Sequence, residues 1–144
     1  MTENFFECQT AMEIQQSQRC LYTGQIISLF CDTVTLPTGK AAQREVVKHP
    51  GGVAVVAQLP NQHIVLVKQF RYALQHALIE LPAGKLDSGE EPLQAIQREL
   101  EEETGYLAQH WRQLTTIYPA PGFCNERITL FYATGLTLDR KSVV

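Results

Sequence analysis

Between Glu91 and Thr104 runs EPLQAIQRELEEET, the one stretch of this chain with a strong helical period. Pro92 suits the first helical position, where a missing N–H costs nothing, and Gly105 supplies a left-handed stop. With Leu93 set at zero and ~100° turned per residue, Ile96 and Leu100 fall within ~60° of it and make a buried stripe. Glu99 and Glu103 lie beside that stripe, and Glu102 one step farther round. Glu101 points toward water, near the azimuth of Glu90. Carboxylates 99, 102 and 103 therefore share one edge of the helix, next to the core rather than opposite it.

The rest of the chain reads as strands that such a helix must cover. GVAVVAQLP is short and continuously apolar up to the Pro60-Asn61 turn, and HIVLVKQFRY is expected to pair with it. Adjacent apolar runs of this kind fit a sheet buried on both faces. Trp111 to Tyr118 and Ile128 to Thr134 are further strands, separated by Pro119-Ala120-Pro121-Gly122. Upstream, CLYTGQIISLFCDTVTL is rich in strand formers, Pro37-Thr38-Gly39-Lys40 turns, and AAQREVVKH returns, so residues 20–49 read as a long hairpin. Residues 1–19 read as a polar, Gln-rich lead. No second amphipathic helix appears before the end of GLTLDRKSVV, which leaves the other sheet face without an evident cover. The lead or a partner is expected to pack there, or the sequence is shorter than its natural fold. The division expected is 1–49, lead and hairpin, and 50–144, a catalytic domain that is C-terminally short.

Charge narrows the function. Twelve Lys plus Arg against fifteen Asp plus Glu give a formal net charge of -3 over 144 residues, which argues against a nucleic-acid backbone as partner. No run approaches the ~18 apolar residues of a membrane span. The start, MTENFFECQTAMEIQQ, lacks a basic segment followed by an apolar one, so a cytoplasmic protein is expected. Cys8, Cys20, Cys31 and Cys124 show no metal-ligand spacing and read as reduced thiols. From Glu80 to Glu103, in contrast, eight acids face two bases. A locally acidic site in a slightly basic frame suits a cation and a phosphate-bearing small molecule bound together. A solvated acidic helix carries the same charges.

Helix neighbours three or four apart have Cβ atoms ~5–6 Å apart, close enough for two carboxylates to share a cation with Mg–O bonds of ~2.0–2.1 Å. Hard oxygen donors select Mg²⁺, or Mn²⁺, over softer metals. Like-charge pairs on an exposed face cost only ~0.2–0.5 kcal/mol each, so energetics alone also accommodates an ordinary acidic surface. The preceding loop, LPAGKLDSGEE, adds weight to the cation. Pro82, Gly84 and Gly89 make a tight polar turn after Leu78-Ile79-Glu80-Leu81, and glycine there permits close backbone approach. Glu90, at the loop's end, is placed to bond the strand–helix junction or the metal shell.

Gly84, Glu90, Arg98, Glu99, Leu100, Glu102, Glu103, Gly105 and Tyr106 together resemble the Nudix box: glycine, five residues, Glu, seven residues, Arg-Glu-aliphatic, one residue, Glu-Glu, one residue, glycine, then a hydrophobic position. Seven fixed residue types in that register arise by chance on the order of once in a million chains of this length. Glu80-Leu81-Pro82-Ala83-Gly84 before the box and Pro121 after it resemble the ADP-ribose pyrophosphatase subgroup. Gln69-Phe70-Arg71 and Pro121-Gly122-Phe123-Cys124-Asn125-Glu126 resemble its substrate-side segments. The similarity covers about residues 20–138.

The resemblance implies an α/β fold: a Nudix-like α/β/α sandwich with a mixed β-sheet, preceded by an N-terminal β-hairpin, here with the C-terminal helix missing. It implies Mg²⁺-dependent hydrolysis of the pyrophosphate of ADP-ribose to AMP and ribose 5-phosphate. Alternatives are another nucleoside diphosphate derivative (a nucleotide sugar, a dinucleotide or an oxidised nucleoside triphosphate) and a catalytically impaired nucleotide-binding protein. By the family pattern Glu99 and Glu103 are the principal Mg²⁺ ligands with the Ala83 carbonyl, Glu102 serves a second cation and Glu90 supports the cluster. Arg98 joins the catalytic set as a loop–helix clamp on the flank away from the metal edge. Arg71 is expected to grip phosphate or to be a surface arginine, and Glu80 to meet the nucleoside end. Glu126 is expected to join the cations, hold a ribose hydroxyl, or pair with Arg127 or Lys141. Phe123 and Tyr118 read as core or as stacking on adenine. Subgroup members carry a further water-activating carboxylate beyond this chain's last acid, Asp139, so Glu126 or a box glutamate is expected to serve as base. The hairpin resembles the segment through which subgroup homodimers associate.

Overall fold

The structure is a computed structural model and describes residues 12–139. The chain divides into two compact units, residues 1–48 and 49–144.

In the first unit β1 (Ile14–Thr23), β2 (Ser28–Thr35) and β3 (Ala41–Lys48) form an antiparallel meander in that order. The expected hairpin is present as β2 and β3, but the chain before it is a third strand rather than a lead, and the run from Cys20 is broken. Gly24 turns the chain, its N–H donating to the Ile27 carbonyl at 2.8 Å. Sequence pattern did not show β1 because it is exposed along its whole length, so neither face demands the apolar alternation that marks a half-buried strand. Its register is held by polar contacts instead. The Gln15 and Gln18 amides donate to buried Asp32 at 3.2 and 3.0 Å, and Arg44 forks onto Glu13 at 2.9 and 2.5 Å.

The second unit is built on a mixed four-stranded sheet, β7-β4-β10-β9. β4 (Gly52–Ala57) runs parallel to β10 (Ile128–Thr134) and antiparallel to β7 (Ala83–Lys85). β9 (His110–Ile117) pairs antiparallel with β10, with an irregularity at Leu130/Phe131. The single α-helix among the described residues, α1 (Pro92–Thr104), covers one face. Val53, Val55 and Ala57 of β4 and Phe131 and Ala133 of β10 meet Ala95, Ile96 and Leu100 there. Leu93, expected in this stripe, is exposed, and Ala95 takes its place.

Residues 63–72 do not form the expected second strand of the core. A strand has only two edges, and those of β4 are taken by β10 and β7. Beside β4 the segment 63–72 makes a Val65 N–H to Ala57 carbonyl bond at 2.9 Å and, just past the strand's end, a Gln58↔Ile64 bridge. The segment then forms β5 (Val67–Arg71), which pairs with β6 (His76–Glu80) in a separate, largely exposed ribbon. The strand that fills the edge of β4 comes from the loop read as a polar turn, because Ala83-Gly84-Lys85 lies extended there. Two-residue strands β8 (Tyr106–Leu107) and β11 (Thr137–Leu138) complete the unit.

Candidate active site

The helix that carries the acidic edge is set by local signals. Pro92 is its first residue, and Gly105, at φ 71°, closes it with an N–H bond to the Glu101 carbonyl at 2.8 Å. Position along the helix then delivers Glu99 and Glu103 to β7. The Ala83 N–H donates to Glu103 Oε2 at 3.1 Å. Gly84 lies so close to Glu99 that a β-carbon built on it would overlap the Glu99 Cγ, Cδ and Oε1. Gly84, fifteen positions earlier in the chain, is thus the floor on which Glu99 rests.

Arg98 binds the remaining acids together. Its Nε and Nη2 donate to Glu90 at 3.2 Å each, and Nη1 donates to Glu99 at 2.8 Å and Glu102 at 3.3 Å. The clamp between loop and helix is as expected. Its side is not: the guanidinium reaches round to the carboxylate edge, because a long side chain can be drawn to three anions from an azimuth its Cα does not share. The Arg98 bond, helped by the Asp87 N–H, holds the Glu90 carboxyl below the usual carboxylate range.

Glu103 behaves differently. It keeps exposed surface, yet partial burial of its carboxyl raises its pKa, opposed by the Ala83 N–H and reinforced by the charge of Glu99. The charges of Arg71 and Glu80 also act on it. That pair comes from the β5–β6 ribbon: Arg71 donates through Nε at 2.8 Å and Nη2 at 2.5 Å to Glu80, an ion pair that holds the Glu80 carboxyl down. Arg71 Nη1 makes no hydrogen bond among the described residues.

Glu126 does not join this group by any contact among the described residues, nor does it pair with Arg127. Its carboxylate lies 3.6 Å from His49 Nδ1. The His49 N–H in turn donates to Asn125 Oδ1 at 2.8 Å. Lys141, the other partner considered, lies outside the described residues, as does Cys8. Sequence reading missed His49 because its partner is more than seventy positions away. Phe123 and Tyr118 are both exposed rather than core. Cys20, Cys31 and Cys124 are free thiols.

For a hard divalent cation the donor chemistry fits: Glu90, Glu99, Glu102 and Glu103 are oxygen donors gathered at one loop–helix corner. Among the described residues no three acids, histidines or cysteines converge on one point as a formed metal site. Arg98 supplies the counter-charge that holds three of these carboxylates together.

A NUDIX domain pattern matches residues 48–141. The chain belongs to the Nudix family. It is 48% identical over 118 residues to an ADP-ribose pyrophosphatase of Bacillus subtilis, covering 82% of this chain and 64% of that protein. It is 44% identical over 117 residues to a methanol dehydrogenase activator of Bacillus methanolicus, covering 81% of this chain and 63% of that one. This Nudix chain thus spans a little under two thirds of the length of either relative. A solved structure described as an ADP compounds hydrolase superposes with a TM-score of 0.78, covering 88% of this chain and 69% of its own at 17% identity, which is a likeness of fold. No helix among the described residues is long and apolar enough to cross a membrane.

Proposed function

We propose that this chain hydrolyses the pyrophosphate bond of ADP-ribose to AMP and ribose 5-phosphate, with Mg²⁺, or Mn²⁺ in its place, held by the Nudix box. The observation that carries the reading is the seating of Glu99 and Glu103 together on Ala83-Gly84, with Arg98 gathering Glu90 and Glu102 at the same corner. The name of the Bacillus subtilis relative, ADP-ribose pyrophosphatase, supports the substrate. Glu99 and Glu103, with the Ala83 carbonyl, are the residues that would hold the cation, Glu102 a second one, and Glu90 the shell around them. Such an ion supplies charge neutralisation of the diphosphate and polarisation of its phosphorus.

The chain's own residues do the rest. Arg71, anchored to Glu80 through Nε and Nη2, offers its remaining Nη1 to a phosphate oxygen, a charge-assisted contact aimed where negative charge resides. Glu80 thereby positions Arg71, and its own carboxylate faces the nucleoside end of the substrate. A box glutamate, or Glu126, accepts the proton of the attacking water, whose oxygen bonds to phosphorus as the bridging P–O bond breaks. Arg98 acts as a positioning residue. Free thiols at Cys20, Cys31 and Cys124 suit a reducing compartment, and the reading places the protein in the cytoplasm. The catalytic part is residues 50–144. Residues 1–49, with their exposed apolar side chains at Met12, Ile14 and Tyr22, are the homodimerisation region, and a monomeric mass by light scattering at micromolar concentration would remove that assignment.

Initial rates with Mg²⁺ on ADP-ribose, ADP-glucose, diadenosine compounds, NADH and nucleoside triphosphates test the function. ADP-ribose is expected to lead the panel. A higher kcat/KM on another member would reassign the substrate, and no product from any of them would end the hydrolase reading.

A further inference from the structure

A pair of clefts lies at the opposite end of α1 from Glu103. Two adjoining clefts of about 380 and 270 Å³ open between the first turn of α1 and strands β9 and β10, sharing Pro92 and Gln113 in their walls. None of their lining residues belongs to the acidic cluster. Glu99 and Glu103 are seven and eleven residues beyond Pro92, roughly 10–17 Å along the helix axis. The smaller cleft is polar. Arg127, Tyr118, Thr116 and Thr129 line it with Gln113, and none of these side chains has a hydrogen-bond or ion-pair partner among the described residues.

Thr129 is the informative member. The residue is 9% exposed, and its hydroxyl has no hydrogen-bond partner among the described residues. No side-chain polar atom among the described residues is both sealed from solvent and unpartnered, so this hydroxyl keeps its access through the cleft. Arg127, Tyr118, Thr116 and Gln113 line the same cleft. The start of a thirteen-residue helix adds a favourable dipole for an anion. The larger cleft is mixed in character, Glu91 and Gln113 standing beside Leu93, Trp111 and Phe131. Trp111 and Phe131 line it edge to face, ring centroids 6.4 Å apart, and the Trp111 indole is fixed by a 3.1 Å bond to the Ala108 carbonyl. Glu91, on the rim, makes neither a capping bond nor an ion pair.

From this juxtaposition we propose that the paired clefts bind a nucleoside monophosphate. Its phosphate lies against Arg127, Tyr118 and Thr129, its base lies against Trp111 in the larger cleft, and a base amino group donates to Glu91. The proposal does not rest on the hydrolase reading.

Trp111 is the chain's one tryptophan, so its emission reports the site directly. Titration of the metal-free protein with CMP should give a saturable change with a Kd of about 1 mM or tighter. UMP, lacking the amino group, should bind more weakly. Arg127→Ala should weaken CMP about tenfold or more, and the near-isosteric Thr129→Val about fivefold, with circular dichroism confirming the fold of each. Glu103→Gln should titrate as the wild type does. Absence of a saturable change up to about 10 mM CMP, unaltered affinity in Arg127→Ala, or loss of the response in Glu103→Gln would each overturn the proposal. Loss of hydrolysis with retention of this titration would count against the hydrolase reading alone.

Discussion

Replacing Gly84 by alanine asks for one methyl group where the Glu99 side chain already stands. Gly84 does not occupy the left-handed region, so its backbone accepts alanine and the whole effect is steric. The atoms in the way include Glu99 Cγ and Cδ as well as the carboxylate oxygen, so a small rotation of the carboxylate does not relieve the overlap. Overpacking of this kind costs about 1–3 kcal/mol. If Glu99 swings aside instead, it forfeits its 2.8 Å bond to Arg98, a loss of similar size discounted for partial exposure. Alanine also reduces the freedom of the unfolded chain, which returns about 0.4–1 kcal/mol. The net destabilisation expected is about 0.5–2.5 kcal/mol, a Tm drop of about 2–12 °C for a domain of this size. On the proposed role of Glu99 in holding the cation, displacing its carboxylate by an ångström or more should lower turnover about a hundredfold. Thermal unfolding and Mg²⁺-dependent hydrolysis read the two effects separately. In a Glu99→Ala background the obstacle is gone, and Gly84→Ala should then be neutral or slightly stabilising. A Gly84→Ala protein with wild-type Tm and turnover would refute the reasoning.

Glu103→Gln removes a carboxylate whose ionised form is disfavoured by burial and by Glu99. Metal-free protein should therefore melt at an equal or higher temperature while turnover falls by orders of magnitude, and near-normal turnover would exclude its role. Arg98→Lys keeps one charge but cannot hold Glu90, Glu99 and Glu102 in a fixed fork, so kcat should fall more than KM rises, as steady-state kinetics will show. In the first unit the Arg44 bond depresses the Glu13 pKa below 4.5. A depressed acid stabilises above its unfolded value and loses that contribution as pH falls through the folded one. Amide exchange in β1 should therefore quicken below about pH 4.5 in the wild type and show a flatter acid-side dependence in Glu13→Gln.

The acidic edge was legible before any coordinates because a helix is a local object. Pro92, Gly105 and the i, i+4 spacing of Glu99 and Glu103 fix its ends and its face within fourteen residues, and β4 and β10 announce themselves by unbroken apolar runs. The sheet's neighbours were not legible. Whether β4 takes residues 63–72 or Ala83-Gly84-Lys85 on its free edge depends on a competition between distant segments, and both are short enough to be extended. β1 was hidden for the opposite reason, since an exposed strand leaves no periodic trace.

Side-chain partnerships divide in the same way. The Arg98–Glu102 pair is one helical turn apart and the sequence contains it. His49 with Glu126 and Arg71 with Glu80 meet through strand pairing, and Gly84 lies beneath Glu99 through the packing of α1 on β7. The chain's residues by themselves settle where hard oxygen donors stand along one helix. Tertiary structure alone decides what those donors rest on and which polar groups elsewhere are left for a ligand, because register between remote strands is set by the packing of the whole sheet rather than by any local preference.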